Sequence, residues 1–301
     1  MTTRDNYLTI IRQASRSTEP LPTVESAFVK PLHNIEAVLL DVYGTLLISS
    51  SGDIGSGDHD VHAAAFRKAV VDSKLILRCD SEVGVECLRS TIEDCHSRSR
   101  QAGIDFPEVD IVEVWRTTLR SLQQRGQLDG DIDNMDIAGL SLRYELATNP
   151  VWPMPGAAEC LTELANRGIH LGLISNAQWF TPLLFPVLLG GELDALGIGT
   201  EMQFWSWHAG RAKPSAHMFR LATDVLRNRG IEPERVLFVG NDMLNDIVPA
   251  AASGFRTALF AGDRRSLRRR DGDPRVATAK PDIVILQLRD LLSCVRRQQE
   301  S

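Results

Sequence analysis

Six short, almost wholly apolar runs recur along this chain, and each breaks off at a polar or turn-forming residue. They are EAVLLD (36–41), HLGLISN (170–176), EMQFWSW (201–207), RVLFVG (235–240), FRTALF (255–260) and DIVILQL (282–288). A run of this length with no polar alternation is what a strand buried on both faces requires. The stretches PGAAECLTELANRG (155–168), PSAHMFRLATDVLRNRG (214–230) and LNDIVPAAASG (244–254) lie between them and carry helical periodicity. The first two open on a proline and close on a glycine, as helices do. Strand and helix alternating at this pitch predict an α/β fold with a doubly wound, Rossmann-like parallel sheet, which binds ligands at the carboxyl ends of its strands.

The interval 51–149 follows a different period. VHAAAFRKAVVDSKLIL (61–77), VECLRSTIEDCHSRSRQAG (85–103), EVDIVEVWRTTLRSLQQRG (108–126) and MDIAGLSLRYELAT (135–148) read as four helices inserted after the first strand. The entry, SSSGDIGSGDHD (49–60), has a flexible-hinge composition, and three prolines stiffen the exit at 148–156. The expected division is an N-terminal arm at 1–35 with a short helix near 6–15, a core at 36–50 and 150–301, and a helical cap at 51–149.

A net charge of -6 from 33 basic and 39 acidic residues gives no positive field for nucleic acid or an anionic membrane. Small molecules are the expected partners, with oligomeric state left open. The start of the chain lacks a signal-like apolar core, no run is long enough to span a bilayer, and the five cysteines (79, 87, 95, 160, 294) form no C-x-x-C pair. They read as buried thiols, and a cytoplasmic protein is expected.

Chemistry gathers at the strand ends. Asp41-Val42-Tyr43-Gly44-Thr45 follows the first run, Ser175-Asn176 ends the second, Lys213-Pro214 precedes a helix, and Asn241-Asp242-Met243-Leu244-Asn245-Asp246 follows the fourth. An Asp after a strand is often only a turn-former or helix cap, Ser175-Asn176 could merely start a helix, and Asp246 could cap one. Asn241 reads equally well as a metal ligand or a turn residue. Trp205 and Trp207 read as core, and the arginines at 264, 265, 268, 269 and 270 read as a solvated run.

Taken in order, these motifs resemble those of the haloacid dehalogenase superfamily over about 36–290. The resemblance implies Asp41 as nucleophile, Thr45, Ser175 and Asn176 around the transferred group, and Lys213 as the neutralising cation. It further implies Mg²⁺ held at Asp41, Tyr43, Asp242 and Asp246, with the 51–149 insertion as a mobile cap. The substrate would be a small anion, either a phosphate ester or a haloacid. Phosphatases of this kind usually carry a second Asp two residues after the nucleophile, where this chain has Tyr43. That Asp-x-Tyr-Gly-Thr form is similar to the metal-independent 2-haloacid dehalogenases, whereas Asp242 is similar to the metal-binding phosphatases. A Mg²⁺-dependent phosphatase of a small phosphorylated metabolite is therefore expected first. A haloacid dehalogenase comes second, and an idle ligand-binding relative third. Asp58, His59, Asp60 and His62 are candidates for the missing proton donor, although a polar hinge and helix cap reads better.

Overall fold

The structure, a computed structural model, describes residues 2–49 and 59–296. Its main sheet has six parallel strands: β1 (Ala37–Leu40), β2 (His170–Ser175), β3 (Gln203–Trp205), β4 (Val236–Gly240), β5 (Arg256–Phe260) and β6 (Ile283–Ile285). Their spatial order is 3-2-1-4-5-6. The sheet is thus doubly wound, and its order reverses between β1 and β4. All four residues of β1 and all five of β4 are buried. Register fixes what emerges at the rim. Leu40 pairs with Leu173 on one side and Val239 on the other, so Asp41 leaves the sheet level with Gly240. Its N–H still donates to Val239 C=O at 2.9 Å.

All six expected strands are present, each shorter than its run. The expected 155–168 helix narrows to Ala157–Asn166, with Gly156 rather than Pro155 next to its first turn. LNDIVPAAASG begins as a wide π-type turn at Met243–Ile247 and becomes α-helix only over Val248–Ala252.

Contacts divide the chain into two compact units, 1–16 with 53–150 and 17–52 with 151–301. The helical unit contains α1 (Thr3–Ala14), α2 (His59–Asp72), α3 (Ser81–Gln101), α4 (Ile111–Gln124) and α5 (Ile137–Thr148). Its core stacks Phe66 on Trp115 at 5.3 Å between ring centroids, with Tyr144 edge-on to Trp115 at 5.1 Å. Most of the hinge expected at 49–60, namely residues 50–58 and so including Asp58, lies outside the described residues.

Residues 1–35 do not behave as one arm. Helix α1 belongs to the helical unit, because Ile10 and Ile11 are buried and the Tyr7 hydroxyl donates to Asp136 Oδ1 at 2.8 Å. That same oxygen caps α5 by accepting the Gly139 N–H. The following segment runs along the sheet instead. Phe28 exchanges two 2.9 Å backbone hydrogen bonds with Val284 and so covers the exposed edge of β6. Among the described residues no helix is long and apolar enough to cross a membrane. Cys160 and Cys294 are buried thiols as expected, but Cys79, Cys87 and Cys95 are only partly so, all three lying on or beside the half-covered face of α3.

Trp115 is fully buried and in contact with two other rings, so truncating it leaves a large cavity. Trp115→Ala should lower unfolding stability by about 3–5 kcal/mol in urea titrations. A change below about 1 kcal/mol would show that the helical unit does not depend on this cluster.

Candidate active site

Within the sheet-bearing unit, the switch point collects most of the residues singled out above. Lys213 is 5% exposed, and its ammonium donates to Asp41 Oδ1 at 2.7 Å, to Asp246 Oδ1 at 2.6 Å and to Ile174 C=O at 3.2 Å. It also lies 5.7 Å from the centre of the Phe238 ring. Burial, the largest influence, pushes its pKa down, but Asp246 and Asp41 together outweigh that and raise it, so the ammonium stays charged. Asp246 is raised, first by burial and then by Asp41 and Asp242, with Lys213 pulling the other way.

Ser175, at the end of β2, donates its hydroxyl to the same Asp41 Oδ1 at 2.9 Å. Asp41 Oδ2 receives no hydrogen bond from the described residues. Asn176 acts on the backbone of Lys213. Its Oδ1 accepts the Lys213 N–H at 2.6 Å and its Nδ2 donates to Lys213 C=O at 3.2 Å. Helix-starting, the bland reading of Asn176, is therefore not what its side chain does.

Thr45 is engaged by a neighbouring loop. Its buried hydroxyl donates to Asn241 Oδ1 at 3.2 Å and not to Asp41, while Asn241 Nδ2 donates to Ser266 C=O at 2.6 Å. Asn241 is thus a brace between loops. Gly44 lets them close, since at φ +84° a Cβ there would stand 2.6 Å from Asn241 Nδ2 and 2.7 Å from Ser266 Cβ. Tyr43 shares a 2.8 Å hydrogen bond between its hydroxyl and that of Thr181.

The fourth motif divides its carboxylates between two tasks. Asp246 Oδ2 accepts the Asp242 N–H at 3.0 Å, so this residue ties the loop to Lys213. Asp242 Oδ1 caps the π-type turn by accepting the N–H groups of Leu244 and Asn245 at 2.8 and 3.1 Å. The arginine run is solvated only in part, since Arg264 and Arg269 stay exposed while other members turn back to partners. Arg270 grips Asp242 with Nη2 2.6 Å from Oδ2, Arg269 pairs with Glu25 at 3.2 Å, and Arg265 pairs with Asp263. Sequence reasoning missed these partners because a run of like charge carries no signal of where the chain folds back.

Mg²⁺ requires oxygen ligands with free lone pairs in near-octahedral geometry. Asp242 and Asp246 already receive N–H donors on both oxygens, and among the described residues no three acidic, His or Cys side chains converge as a cation site. As arranged, these residues do not fit the ion.

In the helical unit, His62 Nδ1 is 2.7 Å from the Tyr144 hydroxyl, and burial, then the charges of Arg89 and His59, lower its pKa. A groove of about 1070 Å³ in that unit is lined mainly by α3 and α4, including Arg89, Asp94, Arg98 and Arg125, and of the candidate residues only His59 is among its described lining.

The doubly wound core is shared with a known family. The haloacid dehalogenase-like hydrolase family matches residues 35–254, and the chain belongs to it. It is 32% identical over 155 residues to phosphoglycolate phosphatase 1 of Pseudomonas aeruginosa, covering 48% of each protein. It is 28% identical over 144 residues to ribulose-1,5-bisphosphate 5-phosphatase of Halopiger xanaduensis, covering 47% of this chain and 56% of that one. The chain therefore spans about half the length of these curated relatives. A 2-haloacid dehalogenase of Pseudomonas syringae superimposes with a TM-score of 0.57 at 19% identity, over 86% of this chain and 97% of the other, which is a likeness of fold.

Gly240 is a position whose role only the close approach reveals, because a Cβ there would lie 2.4 Å from the Asp246 carboxyl carbon. Gly240→Ala should displace Asp246 from Lys213 and cost about 1–3 kcal/mol in thermal or urea unfolding. An alanine variant as stable as the parent would mean that the Asp246 contact is not tight in solution.

Proposed function

We propose that this chain hydrolyses a small phosphate monoester through a covalent intermediate on Asp41. The observation that carries the reading is the asymmetry of that carboxylate. Lys213 and Ser175 both hold Oδ1, which leaves Oδ2 oriented and free of donors from the described residues. A carboxylate so held can split a difficult displacement into two easier steps. In the proposed sequence Oδ2 attacks phosphorus, the bond from phosphorus to the ester oxygen breaks, and the departing oxygen takes a proton. Water then attacks the acyl phosphate, releasing phosphate and restoring the carboxylate. Lys213 offsets the charge that gathers at the carboxylate, and Ser175 keeps its rotamer fixed.

The proton is assigned to Tyr43, which stands two residues after Asp41 and whose hydroxyl shares a hydrogen bond with Thr181. Tyrosinate then recovers a proton from the attacking water, so the cycle closes. Thr45 and Asn176 are positioning residues in this scheme, acting through Asn241 and through the Lys213 backbone. The names of the curated relatives support a small phosphorylated acid or sugar as substrate. Mg²⁺, which the carboxylates as arranged do not fit, has no step routed through it in this scheme. The helical unit is proposed as the cap that selects substrate. A 2-haloacid dehalogenase is the second reading, favoured by Tyr43 and by the engagement of Asp242, since halide departs without a proton.

A screen of phosphate esters and 2-haloacids, each with Mg²⁺ and with chelator, tests the choice. Phosphate release is expected, and halide release with every ester untouched would replace the first reading by the second. Asp41→Asn should lower turnover at least about a thousandfold with an unchanged circular dichroism spectrum. Residual activity near the parent level would exclude the covalent role. Tyr43→Phe should cost alkyl phosphates at least about tenfold in kcat and spare p-nitrophenyl phosphate, whose leaving group needs no proton. Equal losses on both would show that Tyr43 only positions its neighbours.

A further inference from the structure

Helix α3 carries a charged stripe whose signs reverse about its midpoint. Glu82, Glu86, Arg89, Glu93, His96 and Arg100 are spaced alternately four and three residues apart, so they line one face of this 21-residue helix, which is about 32 Å long. Two-fold symmetry at the level of Thr91 exchanges Glu82 with Arg100, Glu86 with His96 and Arg89 with Glu93. In each exchange an acidic side chain meets a basic one. A helix that only matched its own dipole would carry acids at its start and bases at its end, which Glu82 and Arg100 satisfy. That requirement does not explain why Arg89 stands four residues before Glu93, the less favourable order for a pair within one helix. Arg89 turns back to Glu86 at 3.4 Å, and among the described residues Glu82, Glu93 and Arg100 form no ion pair. Glu82, Glu86, Glu93 and Arg100 are exposed, and the Arg89 side chain is 36% exposed.

We propose that this face of α3 is the contact between two copies of the chain, packed antiparallel about a two-fold axis at the level of Thr91. Such a contact is isologous, so each unlike pair occurs twice: Glu82 faces Arg100 of the second copy, Glu86 faces its His96 and Arg89 faces its Glu93. A parallel pairing in register would set every charge against its own kind, and so the pattern selects the antiparallel one. Antiparallel packing also sets the two helix dipoles in opposition, which is favourable. The surface beside the stripe has room for a neighbour, because the groove of about 1070 Å³ in the helical unit is bordered by Glu82, Glu86 and Arg89 and by the short side chains of Ser90, Thr117 and Ser121. Single exposed ion pairs contribute little, so the association depends on the six acting as a network and is sensitive to salt. The contact lies in the helical unit and does not depend on the chemistry proposed for Asp41.

Sedimentation equilibrium of the full chain tests this contact. A dimer is expected at about 50 mM NaCl, and about 500 mM NaCl should weaken it at least about tenfold by screening the stripe. Glu82→Arg with Glu86→Arg brings positive ends together, and His96→Glu with Arg100→Glu brings negative ends together, so each double variant alone should be monomeric. An equimolar mixture of the two should dimerise as the parent does, because every reversed charge then faces its opposite. Circular dichroism checks that each double variant keeps its helix content, and the salt series on the parent needs no variant to fold. A parent that is monomeric at about 200 µM in low salt, a parent dimer indifferent to salt, a double variant that dimerises like the parent, or a mixture of folded variants that stays monomeric would each overturn the proposal.

Discussion

A lysine ammonium buried between two carboxylates is the interaction on which the rest of this site depends. Taking such a charge out of water is costly, and only partners at hydrogen-bond distance offset it. Lys213 has three, in Asp41, Asp246 and the carbonyl of Ile174. Each comes from a different strand end, so the ion pair works only if β1, β2 and β4 are adjacent and in register. Removing one carboxylate would leave the buried ammonium with one carboxylate and a carbonyl, and loss of a partner from a buried ion pair can cost up to about 3–5 kcal/mol. Surface pairs such as Lys68 with Asp72, where the side chains are 71% and 38% exposed, bear no comparable weight.

Around that centre the loops brace one another instead of each meeting a ligand. Thr45 holds Asn241, Asn241 holds Ser266, and Gly44 is the residue small enough to let the first and fourth loops touch. Asn176 does the same for the lysine main chain. The result is a preorganised carboxylate with one committed and one uncommitted oxygen. Preorganisation of this kind contributes to catalysis because no reorientation is needed when charge develops. Arg270 extends the principle to Asp242, where the chain supplies its own positive charge.

The two units divide their labour physically. The sheet-bearing unit holds every candidate residue of the four motifs, whereas the helical unit has its own aromatic core in Phe66, Trp115 and Tyr144. The first 35 residues serve both. Helix α1 packs on α5 and ties to it through Tyr7, and the stretch beyond it covers the edge of β6 through Phe28. An uncovered edge strand is a template for association, so this second contact has a protective role independent of the chemistry.

The six strands, the helical insertion and the order of the motifs were legible in the sequence because strand burial and helix amphipathicity are local, periodic signals. The doubly wound topology followed from their alternation, and with it the convergence of Asp41, Ser175, Lys213, Asp242 and Asp246 on one rim. The partners of those groups were not legible. Lys213 and Asp41 are 172 residues apart, Thr45 and Asn241 are 196 apart, and Arg270 reaches back 28 residues to Asp242. Composition placed Arg270 in a solvated run and the family resemblance made Asp246 a metal ligand; folding pairs the first with Asp242 and the second with Lys213. Hydrogen bonds are decided by which oxygens and nitrogens meet within about 3 Å, and only the packed chain sets that distance.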